Sequence, residues 1–205
     1  GAGGHAGVVA DALIAAGQRV LGFLDPRPDL AGTNRCGLPV LGGDDVLQGH
    51  SPDETLLANG IGGVRPSSLR ADVQARLESS GWTFIGTRHP SAVVSGSATV
   101  AASAQLLARC VVQPGARIGD GAIINTGAII EHDVDTGAYV HVAPGAIVCG
   151  DVVIGAGSHI GAGAIVRQGT SVGSLTLVAA GAVVVRDHSG EGVLAGVPAT
   201  VRYHT

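Results

Sequence analysis

Two hydrophobic rhythms divide the chain near residue 87. Before it, apolar segments alternate with glycine and proline stops. Ala6 to Ala16 has the pattern of an amphipathic helix closed by Gly17, and Arg19 to Leu24 that of a short strand ended by Asp25-Pro26. Thr55 to Ala58 reads as a second strand. Ser67 to Ser80, with Leu69, Val73 and Leu77 at helical spacing, reads as a second helix closed by Gly81. This predicts a small α/β unit with a parallel sheet, roughly half of a doubly wound nucleotide-binding fold.

From residue 92 the period becomes six. Stepping by six from Val94 to Val184 meets sixteen positions, fifteen of them aliphatic, with Thr136 the exception. Two residues before each stands a small or β-branched side chain or a cysteine, from Ala92 to Ala182. Neither a helix (period 3.6) nor a flat strand (period 2) keeps one phase over such a length at period six. A coil with three short faces does, each face sending one aliphatic inward and each corner using glycine where φ must be positive. Three hexads make a coil of 18 residues, so the pattern predicts about five coils, stacked ~4.8 Å apart as neighbouring strands are. The predicted divisions are 1–86 for the α/β unit, 87–188 for the coil and 189–205 for a C-terminal tail.

Composition agrees with this picture and narrows function. Aromatics are 2% against 45% hydrophobic residues, so the core must be aliphatic. The 34 glycines lack the three-residue period of collagen. All 12 basic residues are Arg, and with 16 acids the formal charge is −4, with no basic run that would hold a nucleic acid or a membrane surface. Cys36, Cys110 and Cys149 lack metal-ligand or CxxC spacing and fit a reducing cytoplasm. No apolar run reaches ~18 residues. The chain has no Met, and no strand feeds Gly1, so residues are expected to precede it.

Candidate chemistry lies at a few off-phase positions. His132 stands two residues past inward Ile130, between Glu131 and Asp133, where a carboxylate can fix its tautomer and raise its basicity. His141 and His159 each precede an inward aliphatic and lie 18 apart, so they should stack on one face; their spacing does not match a metal site, and no metal is expected. Asn125 follows inward Ile124 and points outward. At the other end, Gly1-x-Gly3-x-x-Ala6 opening a helix is an arrangement that receives a diphosphate on backbone N–H groups, and Asp25 stands where an acid meets a ribose hydroxyl or base.

Gly1-Ala2-Gly3-Gly4-His5, Arg88-His89-Pro90-Ser91-Ala92-Val93, Ile124-Asn125-Thr126-Gly127-Ala128, Glu131-His132-Asp133 and Gly196-Val197-Pro198-Ala199 together resemble the sialic-acid O-acetyltransferase-like group of hexapeptide-repeat acyltransferases. That group includes the bacterial N-acetyltransferases of nucleotide-linked 4-amino-4,6-dideoxy sugars. The resemblance implies a left-handed parallel β-helix after the half-Rossmann-like unit, a homotrimer, and acetyl-CoA as co-substrate lying between neighbouring β-helices. It implies His132 as general base supported by Asp133, with Glu131 the alternative acid. Coenzyme contacts would come from Asn125, His141, Gly150, Ala162 and Ala180. A nucleotide sugar would meet Gly3, Gly4, His5, Asp25 and the loop Gly60-Ile61-Gly62. His159 is expected at a surface or interface, and Arg186 or Arg202 is the cation for coenzyme phosphates. The activity implied is acetyl transfer to a sugar amine for surface glycans, in the cytoplasm. The alternatives are sialic-acid-type O-acetylation, a non-catalytic scaffold, or an NAD(P)-binding unit on a trimerisation stalk.

Overall fold

Side chains spaced six apart share one interior only if the backbone turns a corner every six residues. In the computed structural model, which describes residues 1–202, it does. The result is a left-handed β-helix of two-residue strands in three parallel sheets. One face, here the ladder face, stacks Val93–Val94, Val111–Val112, Ile129–Ile130, Ile147–Val148, Ile165–Val166 and Val183–Val184. A polar face runs from Thr99–Val100 to Ser171–Val172. The covered face includes Gln105–Leu106, Ile123–Ile124, His141–Val142 and His159–Ile160. Successive coils pair at a register of 18, for example Ile124 with Val142 and Ile130 with Val148.

Both predicted inward positions of each hexad fill one continuous core, from Ala92 and Leu106 to Ala182 and Val184. Thr136 enters that core as well. Its hydroxyl accepts from the Gly119 amide at 3.2 Å and donates to the Arg117 carbonyl at 3.4 Å, so the polar group is buried with partners. The corners form three columns with φ near +60°, such as Gly127, Gly145, Gly163 and Gly181. Glycine suits this conformation because it has no Cβ to clash.

The first 86 residues differ from expectation in detail. Helix α1 (Gly4–Ala15) closes at Gly17, with φ +79°, as predicted. Strand β1 (Phe23–Leu24) is shorter than Arg19 to Leu24, and it pairs in parallel with β3 (Leu38–Gly42). A hairpin the pattern did not announce places β2 (Asn34–Arg35) antiparallel to β3, turning at Cys36 and Gly37, both with positive φ. Strand β4 (Leu57–Ala58) pairs with β5 (Phe84–Ile85) in a separate parallel pair. The expected single parallel sheet is therefore two ladders, one of them mixed.

Helix α2 (Leu69–Glu78) buries Arg70, Gln74 and Leu77, while Leu69 is 55% exposed. The apolar spacing holds for Val73 and Leu77, which pack with Leu47, Trp82 and Phe84, and fails for Leu69, since the inner face continues through Arg70 and Gln74. That face rests on polar groups: Arg70 donates to the Gly121 carbonyl, and Asn59 donates to the Arg70 carbonyl at 3.0 Å.

The covered face takes its name from this unit. Ala12 of α1 packs on Leu107 and Ile123, and buried Gln105 accepts from His5 Nε2 on its Oε1 at 2.9 Å and donates from its Nε2 to the Asn59 carbonyl at 2.7 Å. Past the coils, Gly192–Ala195 adds in parallel to the covered face and Thr200–Arg202 adds antiparallel to it, so the predicted tail largely extends a sheet. Positions 203–205 of that tail lie outside the described residues.

Candidate active site

The corner after Ile130 presents His132 and Asp133. Asp133 adopts φ +58°, a conformation that Asp tolerates better than most side chains. In that pose its carboxylate accepts a hydrogen bond from His132 Nδ1 at 2.9 Å. With the proton held on Nδ1, Nε2 is the free acceptor. Both side chains are exposed, 51% and 66%. The Asp133 hydrogen bond is the main cause that raises the His132 pKa above its ordinary value, against slight desolvation and with help from the charges of Asp133, Glu131 and Asp151. Glu131 makes only a long contact, 3.4 Å, to the His132 amide, so the acid in touch with the ring is Asp133.

Two glycines make room for this pair. A Cβ at Gly150, one coil on, would stand 2.5 Å from Cε1 and Nε2 of His132, and a Cβ at Gly115, one coil back, would overlap Oδ1 of Asp133. Buried Gly150 therefore has a role as the floor of the imidazole, which spacing alone did not reveal. Ala162 and Ala180 are exposed and stack one coil apart, with the Gly181 amide donating to the Ala162 carbonyl at 2.9 Å, on a different corner from His132.

A second cluster forms on the covered face. Asn125 Nδ2 donates to His141 Nε2 at 3.1 Å, while Asn125 Oδ1 accepts the Thr126 amide at 2.8 Å. Burial, followed by the neighbouring His159 and His5, pushes His141 down to about 3, so it is neutral at ordinary pH and its other ring nitrogen carries a donor proton. His141 and His159 pair across adjacent strands with ring centroids 4.7 Å apart, edge to face. The expected stacking is present, but His159 is not a surface residue: only 7% exposed, it is sealed by the α/β unit.

The predicted nucleotide residues separate into three groups. Gly3 and Gly4 are exposed at the start of α1, where no side chain caps the helix. Loop residues Gly60 and Gly62 are small for packing reasons, since a Cβ would meet Ala6 Cβ at 2.8 Å or His5 Cβ at 2.7 Å. His5 turns toward Gln105 and lies 6.2 Å from the His141 ring, so it joins the second cluster.

Asp25 lies against the glycine turn. It is buried, and its oxygens accept the Ala2 amide at 2.8 Å, the Arg27 amide at 3.1 Å, and Arg27 Nε and Nη2 at 2.9 and 3.3 Å. The Arg27 guanidinium is the main cause that holds its carboxyl well below the usual range. With four hydrogen bonds on its two oxygens, it braces the glycine turn to the next loop.

Arg186 and Arg202 are both exposed. Among the described residues no group of three His, Cys, Asp or Glu side chains is placed to hold a metal ion, and no helix is long and apolar enough to cross a membrane. Sequence reasoning missed Arg70, Gln105 and Tyr139, which line or support the second cluster. The signal for Arg70 was its place four residues before Gln74 on one side of α2, which a search for apolar residues passes over.

A β-helix whose corner exposes a His–Asp pair, joined to a small α/β unit with an uncapped glycine helix start, defines the hexapeptide-repeat class of acyl-transfer folds. Comparisons with known proteins carry this further. Residues 1–77 match the family model of the PglD N-terminal domain. The acetyltransferase domain of PglB from Neisseria gonorrhoeae, solved in complex with acetyl coenzyme A, is 36% identical, with a TM-score of 0.91 over 98% of this chain and 96% of that one. PerB from Caulobacter crescentus, solved with CoA and GDP-perosamine, is 36% identical, with a TM-score of 0.88 over 99% and 95%. WeeI from Acinetobacter baumannii, at 24% identity and a TM-score of 0.74 over 88% and 85%, shares the fold. A comparison with curated proteins found no match. The chain belongs to the hexapeptide-repeat family of bacterial nucleotide-sugar acetyltransferases.

Proposed function

We propose that this enzyme transfers acetyl from acetyl-CoA to the 4-amino group of a nucleoside-diphosphate-linked 4-amino-4,6-dideoxy sugar, with His132 as general base. The observation that carries the reading is the His132–Asp133 pair, 2.9 Å apart on an open corner with Nε2 unengaged. The sugar nitrogen attacks the thioester carbon, Nε2 accepts the ammonium proton, and the C–S bond breaks. The proton held on His132 then neutralises the departing thiolate. Attack on the thioester is direct, so no acyl-enzyme forms. The relatives solved with acetyl-CoA, CoA and GDP-perosamine support this choice of donor and acceptor class.

In this reading residues 1–86 hold the nucleotide sugar, residues 87–188 carry the transfer, and Asn125, His141, Gly150, Ala162 and Ala180 line the coenzyme path. The His132 corner and the Asn125 corner lie at opposite edges of the ladder face. Its outward row, Val93, Val111, Ile129, Ile147, Ile165 and Val183, is wholly aliphatic, with Val93 64% exposed. A homotrimer that covers this row would bring one copy's His132 corner toward a neighbour's coenzyme groove. In this reading the enzyme works in the cytoplasm, supplying a surface glycan.

A mass-spectrometric screen of acetyl acceptance over UDP-, GDP- and dTDP-linked 4-amino sugars and sialic acid tests the proposal. Amide formation on one nucleotide-linked sugar is expected; acetylation of sialic acid alone would replace this reading with O-acetylation.

Asp133→Asn should lower turnover about tenfold, because the base loses the carboxylate charge that raises its basicity. The pH profile supplies the sign. Asp133 raises the His132 pKa, so the wild-type base is protonated up to a higher pH, and activity on the acidic side rises as pH passes that pKa. Removing the carboxylate should move this limb to lower pH. An unmoved limb would show that Asp133 does not act through His132.

A further inference from the structure

The loop 60–69 and the covered face enclose a crevice of about 40 Å³, lined by Gly62, Gly63, Arg65, Arg70, His141 and His159 among others. That is room for a few water molecules or a single phosphoryl group. Its lining includes two arginines and no acid.

Arg70 is the unexplained member. It is 8% exposed, its Nη2 donates to the Gly121 carbonyl, and its Nε is buried with no partner. No carboxylate pairs with it among the described residues. Its guanidinium carbon lies 5.7 Å from the centre of the Tyr139 ring, which eases but does not neutralise the charge. A buried cation without a counter-ion is costly, and a buried N–H without an acceptor adds to that cost. The same burial pushes the guanidinium down to about 10. Neutral His141 brings no negative charge, and its ring hydrogen-bonds the Gly63 backbone. The two arginines of the crevice, with no acid beside them, therefore favour an incoming anion.

We infer that Arg70 forms a subsite for a phosphoryl oxyanion of the nucleotide-linked substrate. The inference rests on the function proposed above for its choice of substrate, since the loop that walls the crevice also packs against His5 at the start of α1. A guanidinium matches phosphate oxygens in geometry as well as charge. Coenzyme phosphates have the same chemistry, and the test separates the two sources.

Thermal shift with inorganic pyrophosphate should stabilise the wild-type protein and leave Arg70→Gln unshifted, with Arg70→Lys between them. In kinetics, Arg70→Gln should raise KM for the nucleotide-linked amino sugar about 10–100-fold. KM for acetyl-CoA and for the phosphate-free methyl glycoside of the same sugar should stay put. A rise confined to acetyl-CoA would overturn the assignment, as would equal pyrophosphate stabilisation of wild type and Arg70→Gln. Should Arg70→Gln fail to fold, a crystal structure of the wild type with pyrophosphate decides: phosphoryl density bonded to the Arg70 guanidinium supports the subsite, and density only elsewhere overturns it. Pyrophosphate binding that depends on Arg70 in a protein without acetyl transfer would refute the proposed function and leave the anion subsite standing.

Discussion

His132→Ala is expected to reduce acetyl transfer ~10²–10⁴-fold, the range for loss of a positioned general base. Steady-state rates with acetyl-CoA and a nucleotide-linked 4-amino sugar measure it. Stability should hardly change, because the side chain is half exposed and packs only against the corner formed by Asp133 and Gly150. A variant that turns over at the wild-type rate would remove His132 from the chemistry. A variant that melts early would instead give His132 a structural role, which its exposure does not support.

The second large effect concerns how the α/β unit is seated. Gly86 links β5 to the first coil, where its amide donates to the Ala102 carbonyl at 2.7 Å and the next amide, of Thr87, donates to the Ala104 carbonyl at 3.1 Å. A Cβ at Gly86 would overlap the Ala104 carbonyl and backbone, which have no rotamer through which to retreat. Gly86→Ala should therefore destabilise the protein by ~2–4 kcal/mol, at the high end for overpacking. Chemical denaturation of wild type and variant measures it. A loss under ~0.5 kcal/mol, ordinary for a surface change, would mean that the junction yields.

These two sites illustrate what the sequence could reveal. The coil was legible because one constraint, an inward aliphatic every six residues, repeats without interruption from Val94 to Val184. Phase alone then set His132 outward and stacked His141 on His159. Gly86 stands before the repeat begins, and nothing in its neighbours announces a backbone contact with Ala104. The α/β unit was less legible because its strands are mostly two residues long, too short for alternation to register. Part of its inner helix face is polar, so Arg70 and Gln74 were hidden by the apolar spacing of Leu69, Val73 and Leu77. Asp25 shows a different limit: an acid twenty residues after a glycine turn fits a ribose contact, and motif spacing does not reveal that Arg27 and the Ala2 amide bond its oxygens. His5 and His141 were assigned to different ligands by motif, and only the packing of α1 on the covered face brings them within 6.2 Å.

The acetyl-transfer reaction itself is the most direct test. Purified protein is mixed with acetyl-CoA and a nucleotide-linked 4-amino-4,6-dideoxy sugar, thiol release is followed, and the product is analysed for an amide at the sugar 4-nitrogen. One free CoA thiol per amide formed, lost together in His132→Ala, is the predicted result. Thiol release without an amide, or no turnover with any nucleotide-linked amino sugar, would contradict it.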